Sequence, residues 1–191
     1  MFILRALIKE DHEIERYSRV ELIDQDLRRA ISVAKVILMC GKICSGKSTY
    51  ADTIRKNKCA VLLSVDEIML AIFGQDAGKK HDDYMVSLKQ YLYAKSVEIV
   101  GTGIDVILDI GLWTKSERSE VRSYYDSKNI DNEIHYIEIS DAEWKKRIEK
   151  RNKDISENYI SAYYVDNGLA EKVNKLFEIP DKSEVDVWVS C

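Results

Sequence analysis

Nine consecutive residues constrain this chain more than any others. Gly41-Lys42-Ile43-Cys44-Ser45-Gly46-Lys47-Ser48-Thr49 fits the pattern G-x-x-x-x-G-K-[ST] and directly follows the apolar run Val36-Ile37-Leu38-Met39-Cys40. That order calls for a strand, a tight loop and a helix in succession. The two glycines let the backbone turn its N–H groups onto one point, the helix starting near Lys47 adds the positive end of its dipole, and Lys47 adds a point charge. The expected ligand is a nucleoside triphosphate, ATP, held by residues Gly41, Lys42, Ile43, Cys44, Ser45, Gly46, Lys47, Ser48 and Thr49, with Ser48 ligating Mg²⁺. Four constrained positions match by chance in a chain of this length with odds of about one in a hundred at average residue usage, before the flanking strand and helix are required. Cys44 inside this nest reads first as a small loop filler. The alternative is a thiol with raised thiolate character, open to oxidation or alkylation.

From Lys35 onward, short β-branched apolar runs alternate with longer helical stretches, the mark of a parallel sheet flanked by helices. Strands are expected over residues 35–40, 59–64, 104–110, 133–139 and 185–190, and helices over 47–57, 66–73, 81–100, 115–128, 142–152 and 167–177. Ser140-Asp141 before Glu143 reads as a helix start, and Gly101 and Gly103 stop the long helix. The fold class is therefore α/β, a P-loop NTPase fold with a mostly parallel five-stranded sheet. Residues 1–33 differ: Ile14, Tyr17, Leu22, Ile23, Leu27 and Ile31 stand among charges with no glycine or proline, so a helical extension is expected ahead of a domain at 34–191. A partner-binding arm for another protein is its sharper alternative.

Composition narrows the partners. The net charge of -4 gives no global attraction for nucleic acid or an anionic membrane, so nucleic acid is not favoured and any polyanion must be held locally. No apolar run approaches the roughly 20 residues of a spanning helix and no signal-peptide pattern opens the sequence, so a cytoplasmic protein is expected. Cys40, Cys44, Cys59 and Cys191 lack paired zinc spacing and are expected to be reduced thiols, with no structural metal.

Acids follow two of the expected strands. Ser64-Val65-Asp66-Glu67 ends the second, read as neighbour to the P-loop strand, and places Asp66 at the carboxyl edge of the sheet where open α/β folds bind ligands. There it can take the proton of an attacking hydroxyl, or else simply cap the next helix. The third strand ends Val106-Ile107-Leu108-Asp109, the form of a Walker-B strand, so Asp109 is a candidate Mg²⁺ ligand. Arg118 reads as paired with an edge carboxylate, touching substrate, or solvated. Arg147 and Arg151 lie four apart on one helical face, able to clamp phosphates, with a solvated basic helix as the bland reading.

The order of these parts is similar to the zeta-toxin and polynucleotide-kinase-like branch of small P-loop phosphotransferases, AAA-type ATP-binding proteins that also resemble chloramphenicol phosphotransferase. The resemblance rests on the P-loop, Ser-x-Asp-Glu, Leu-Asp followed by Trp113 and Ser116-Glu117-Arg118, and Glu143-Trp144 followed by Arg147 and Arg151-Asn152, over about residues 35 to 190. It implies Lys47, Asp66, Arg147 and Arg151 as the catalytic set, with Asp66 activating the acceptor. The basic helix becomes a mobile lid, with Arg147 near the base and Arg151 at the phosphates. The activity implied is ATP-dependent transfer of the γ-phosphoryl group to a hydroxyl of a small molecule. The alternatives are a nucleotide-binding regulatory ATPase and a zeta-toxin-like or polynucleotide-end kinase.

Overall fold

Five apolar runs account for the centre of the fold. In the computed structural model, which describes residues 34–157 and 162–190, they form β1 (Val36–Cys40), β2 (Val61–Ser64), β3 (Val106–Asp109), β4 (Asn132–Glu138) and β5 (Val187–Ser190). All pair in parallel, in the order β2-β3-β1-β4-β5. β1 is central and buried along its whole length, as a strand covered on both faces must be. Its side chains alternate with period two. Val36, Leu38 and Cys40 join Val106, Leu108, Ile134 and Tyr136 on one face, while Ile37 and Met39 join Ile107 and Ile137 on the other.

Six helices cover these faces: α1 (Lys47–Lys58), α2 (Val65–Phe73), α3 (His81–Val100), α4 (Lys115–Asp126), α5 (Asp141–Ser156) and α6 (Asn167–Leu176). Ala51 and Ile54 of α1 seal the Ile37 face, and Val65, Met69, Leu92, Val121 and Tyr125 from α2, α3 and α4 seal the Val36 face. Every strand and helix expected from residue 35 onward is present, with ends displaced by a few residues. Ser140 caps α5 by accepting from the Glu143 N–H at 3.3 Å, and Gly101 closes α3.

Two expectations are corrected. β2 is not the neighbour of β1: β3 lies between them. The reason is burial, since Val106, Ile107 and Leu108 of β3 are fully covered whereas β2 is partly exposed throughout and takes the sheet edge. Asp66 does not cap α2: Ser64 does, accepting from the Glu67 N–H at 3.3 Å, and Asp66 stands inside the first turn. Of the three readings of Arg118, pairing holds. It is 2% exposed and its Nε donates to Glu184 at 2.7 Å while Nη1 donates to the Glu178 carbonyl at 3.0 Å, tying α4 to the approach to β5. The helical extension expected at residues 1–33, with its partner-binding alternative, and Cys191 lie outside the described residues. Among the described residues, no helix is long and apolar enough to cross a membrane, and Cys40, Cys44 and Cys59 are free thiols.

Candidate active site

The loop after β1 owes its shape to three residues with positive φ, Gly41 at 149°, Cys44 at 58° and Gly46 at 102°. Gly41 is also a point of close approach, because a Cβ there would stand 2.8 Å from the Ile137 carbonyl and 2.8 Å from Ser45 Oγ. A loop that turns its N–H groups inward sends carbonyls outward, and those need donors. Trp144 Nε1 donates to the Ile43 carbonyl at 2.7 Å and Arg147 Nη1 to the Ser45 carbonyl at 2.8 Å, both from α5. Lys47 Nζ donates to the Gly41 and Lys42 carbonyls at 3.0 and 2.9 Å. An ammonium carries three donors, which leaves Lys47 one for a phosphate oxygen.

The site suits an anion. The N-termini of α2, α4, α5 and α6 are capped by the side chains of Ser64, Thr114, Ser140 and Asp166. Gly46 at the start of α1 supplies no side-chain cap and the first turn holds no acid, so its N–H groups and dipole face the loop uncompensated. Arg151 Nη1 lies 3.4 Å from Cys44 Sγ, and its buried Nε has no partner among the described residues; buried Ser45 Oγ has none either. Arg147 also pairs with Glu143 at 3.0 Å. Both arginines of α5 thus reach the phosphate loop, rather than one of them lying apart from it. Lys42 is turned away: its Nζ contacts Asp141 and Asn174, each at 3.0 Å, and lies over the Trp144 ring. It serves the loop through its backbone. Thr49 is exposed on the first turn of α1.

Acids gather on the other side. Register pairs Ser64 with Asp109, so the ends of β2 and β3 are level at the carboxyl edge. Burial pushes the Asp109 carboxyl above its ordinary range; the charge of Lys47 opposes this, the charge of Asp66 adds to it, and a hydrogen bond with Ser48 opposes it. A carboxyl held up by burial, beside a hydroxyl and a second carboxylate, is a site that a cation would stabilise. Hard oxygen donors suit Mg²⁺, which takes one or two carboxylates and completes its shell with phosphates and water. Among the described residues no cluster of three or more His, Cys, Asp or Glu could hold a metal alone. Asp66 is exposed at the positive end of α2, where a carboxylate is favoured.

Burial, and after it the charge of Asp66, push the pKa of the Tyr163 hydroxyl up, and sequence reasoning missed this residue. It belongs to a loop without glycine or motif, and its only signal was a pair of adjacent tyrosines after the basic helix.

A family model described as an AAA domain matches residues 36–163. No curated protein matches the chain in sequence. Several solved structures share its fold. A chain of the Pnkp1/Rnl/Hen1 RNA repair complex superposes with a TM-score of 0.59 at 21% identity, over 75% of this chain and 44% of that one. This chain therefore spans less than half of the length of that relative. The Mycobacterium tuberculosis APS kinase in complex with AMPPNP and APS gives a TM-score of 0.58 at 15% identity, over 82% and 88% of the two chains. A gluconokinase from Sinorhizobium meliloti gives 0.53 at 13% identity, over 83% and 82%.

Proposed function

Since the chain belongs to the AAA domain family, we propose that it is an ATP-dependent phosphotransferase that moves the γ-phosphoryl group to a hydroxyl of a small molecule. The observation that carries this reading is the division of the carboxyl edge. Lys47, Arg147 and Arg151 stand around an uncapped helix end on one side, and Asp66 stands beyond Asp109 on the other. The kinases among its structural neighbours, one acting on APS and one named for gluconate, agree with it.

The nest of N–H groups and the third donor of Lys47 hold the β- and γ-phosphates. Arg147 and Arg151 add positive charge where it builds up on the γ-phosphoryl oxygens as they approach the transition state. Ser48 and Asp109 would hold Mg²⁺, which neutralises phosphate charge when bound. Asp66 accepts the proton of the acceptor hydroxyl as its oxygen forms a bond to the γ-phosphorus; the bond from that phosphorus to the β–γ bridging oxygen breaks, and ADP leaves. A regulatory ATPase would use the same phosphate side without needing a base for an organic hydroxyl.

Labelled ATP incubated with pooled nucleosides, sugars, antibiotics and RNA ends separates the readings. Label carried to a small molecule by the wild type and not by Lys47→Ala supports the proposal. Release of inorganic phosphate alone, or label carried only to RNA ends, overturns it in favour of the ATPase or the polynucleotide-end kinase respectively.

A further inference from the structure

Helix α5 is held against the phosphate loop unevenly along its length. Near its start, Trp144 Nε1 and Arg147 Nη1 donate to the Ile43 and Ser45 carbonyls at 2.7 and 2.8 Å. One turn further on, Arg151 Nη1 meets the Cys44 thiol at 3.4 Å, and its buried Nε has no partner among the described residues. Sulfur is a weak acceptor, so the loop by itself holds this part of the helix loosely. A stronger anchor stands at the next residue. Asn152 donates to the Val165 carbonyl at 2.7 Å and accepts from the Val165 N–H at 2.9 Å, and Val165 is itself buried.

The same stretch of backbone is gripped from another element. Gln75, just beyond α2, donates to the Ala162 carbonyl at 2.7 Å and accepts from the Tyr164 N–H at 3.1 Å. A side-chain amide offers both donors and acceptors, and each of these two uses one of each on backbone, as a neighbouring strand would. Residues 162–165 are thereby tied at once to the end of the helix that carries Asp66 and to the helix that carries Arg147 and Arg151.

We propose that Asn152 and Gln75 are positioning residues of the phosphate site: through the backbone of residues 162–165 they hold the second half of α5 so that Arg151 faces the phosphate loop. Asn152 adjoins Arg151, so the amide that fixes this turn of helix also fixes the point from which the guanidinium reaches out. Gln75 acts one step further back, by steadying the backbone that Asn152 grips. The inference rests on the phosphotransferase reading for the part Arg151 plays in transfer, and on the P-loop alone for its part in holding ATP.

Calorimetric ATP dissociation constants in the presence of Mg²⁺, measured for Gln75→Ala, Asn152→Ala, Arg151→Ala and their pairs, test it. Gln75→Ala and Asn152→Ala are each expected to weaken ATP binding by about threefold to tenfold, the scale of one hydrogen bond. Neither should weaken it further once Arg151→Ala is present, and the Gln75/Asn152 pair should bind as Asn152→Ala does, because the three act in series. A merely structural tether would lower the thermal midpoint and leave the ATP dissociation constant unchanged. An amide that touched the nucleotide itself would keep its full effect in the Arg151→Ala background. Either result overturns the proposal, as does an Arg151→Ala protein that binds ATP like the wild type. Gln75 is exposed, so Gln75→Ala leaves the fold intact and, paired with Arg151→Ala, carries the test even where Asn152→Ala does not fold. Non-additive losses of ATP affinity together with release of inorganic phosphate alone would support the positioning role while removing the phosphotransferase reading. ATP binding that does not depend on Lys47 would overturn both.

Discussion

Replacing Gly41 by alanine tests the geometry on which the phosphate site depends. The new Cβ would meet the Ile137 carbonyl and Ser45 Oγ, each at 2.8 Å, in a backbone conformation at φ +149°. Ile137 lies within β4 and pairs with Val189 of β5, while its neighbour Tyr136 pairs with Cys40 of β1, so its carbonyl cannot retreat as a flexible side chain could. Overpacking a rigid site costs about 1–3 kcal/mol and a strained backbone about 1–3 kcal/mol more. Reduced freedom of the unfolded chain returns about 0.4–1 kcal/mol. The expected net loss is about 1–6 kcal/mol, centred on roughly 3 kcal/mol. Gly78→Ala is the control, since Gly78 has φ +69° with nothing within 4 Å of the added atom, and it should lose only about 1 kcal/mol from backbone strain. Urea unfolding of both variants, with calorimetric ATP binding, reads the difference. Gly41→Ala should also bind ATP more weakly, because the loop must move off β4. If it unfolds at the same urea concentration as Gly78→Ala, the loop does not press on β4 and the account of the nest is wrong.

Three further outcomes are expected. Asp66→Asn should slow phosphoryl transfer by about 10² to 10⁴ with ATP affinity nearly unchanged, whereas Arg151→Ala should lose both rate and nucleotide affinity; single-turnover rates and dissociation constants tell them apart, and an Asp66→Asn enzyme at wild-type rate would leave Asp66 as no more than a first-turn charge. Cys44, in the loop and 3.4 Å from Arg151, should be protected from alkylation by saturating Mg-ATP, and equal labelling by mass spectrometry with and without nucleotide would misplace the thiol. Burial lowers the pKa of His135 against the opposing pull of Glu133, so the unfolded chain binds the extra proton first. Stability should then fall as pH drops below about 6.5 and through the lower folded value, and His135→Gln should flatten that slope of thermal midpoint against pH; an unchanged slope would assign the acid sensitivity to other groups.

The strand, tight loop and helix at residues 36–58 were legible from the sequence, because their physics is local. Two glycines, a lysine and a hydroxyl residue within nine positions decide where a chain must turn and where a helix begins, and an apolar run without alternation says that β1 is covered on both faces. The same locality explains why the helix starts were nearly right, and also the small error at α2, where a start at Val65 makes Ser64 the cap and leaves Asp66 inside the first turn. Periodicity reports which face of an element is buried and is silent on what buries it. The order of strands therefore came only from tertiary packing, which put β3 between β1 and β2 and so brought Asp109, not Asp66, next to the P-loop. Packing also decided that Arg147 and Arg151 both serve the loop and that Arg118 pairs with Glu184. It alone brought the chain at Ala162 and Tyr164 against Gln75, nearly ninety residues earlier in the sequence. Contacts over that distance in sequence depend on how whole elements stack, and no short pattern records them.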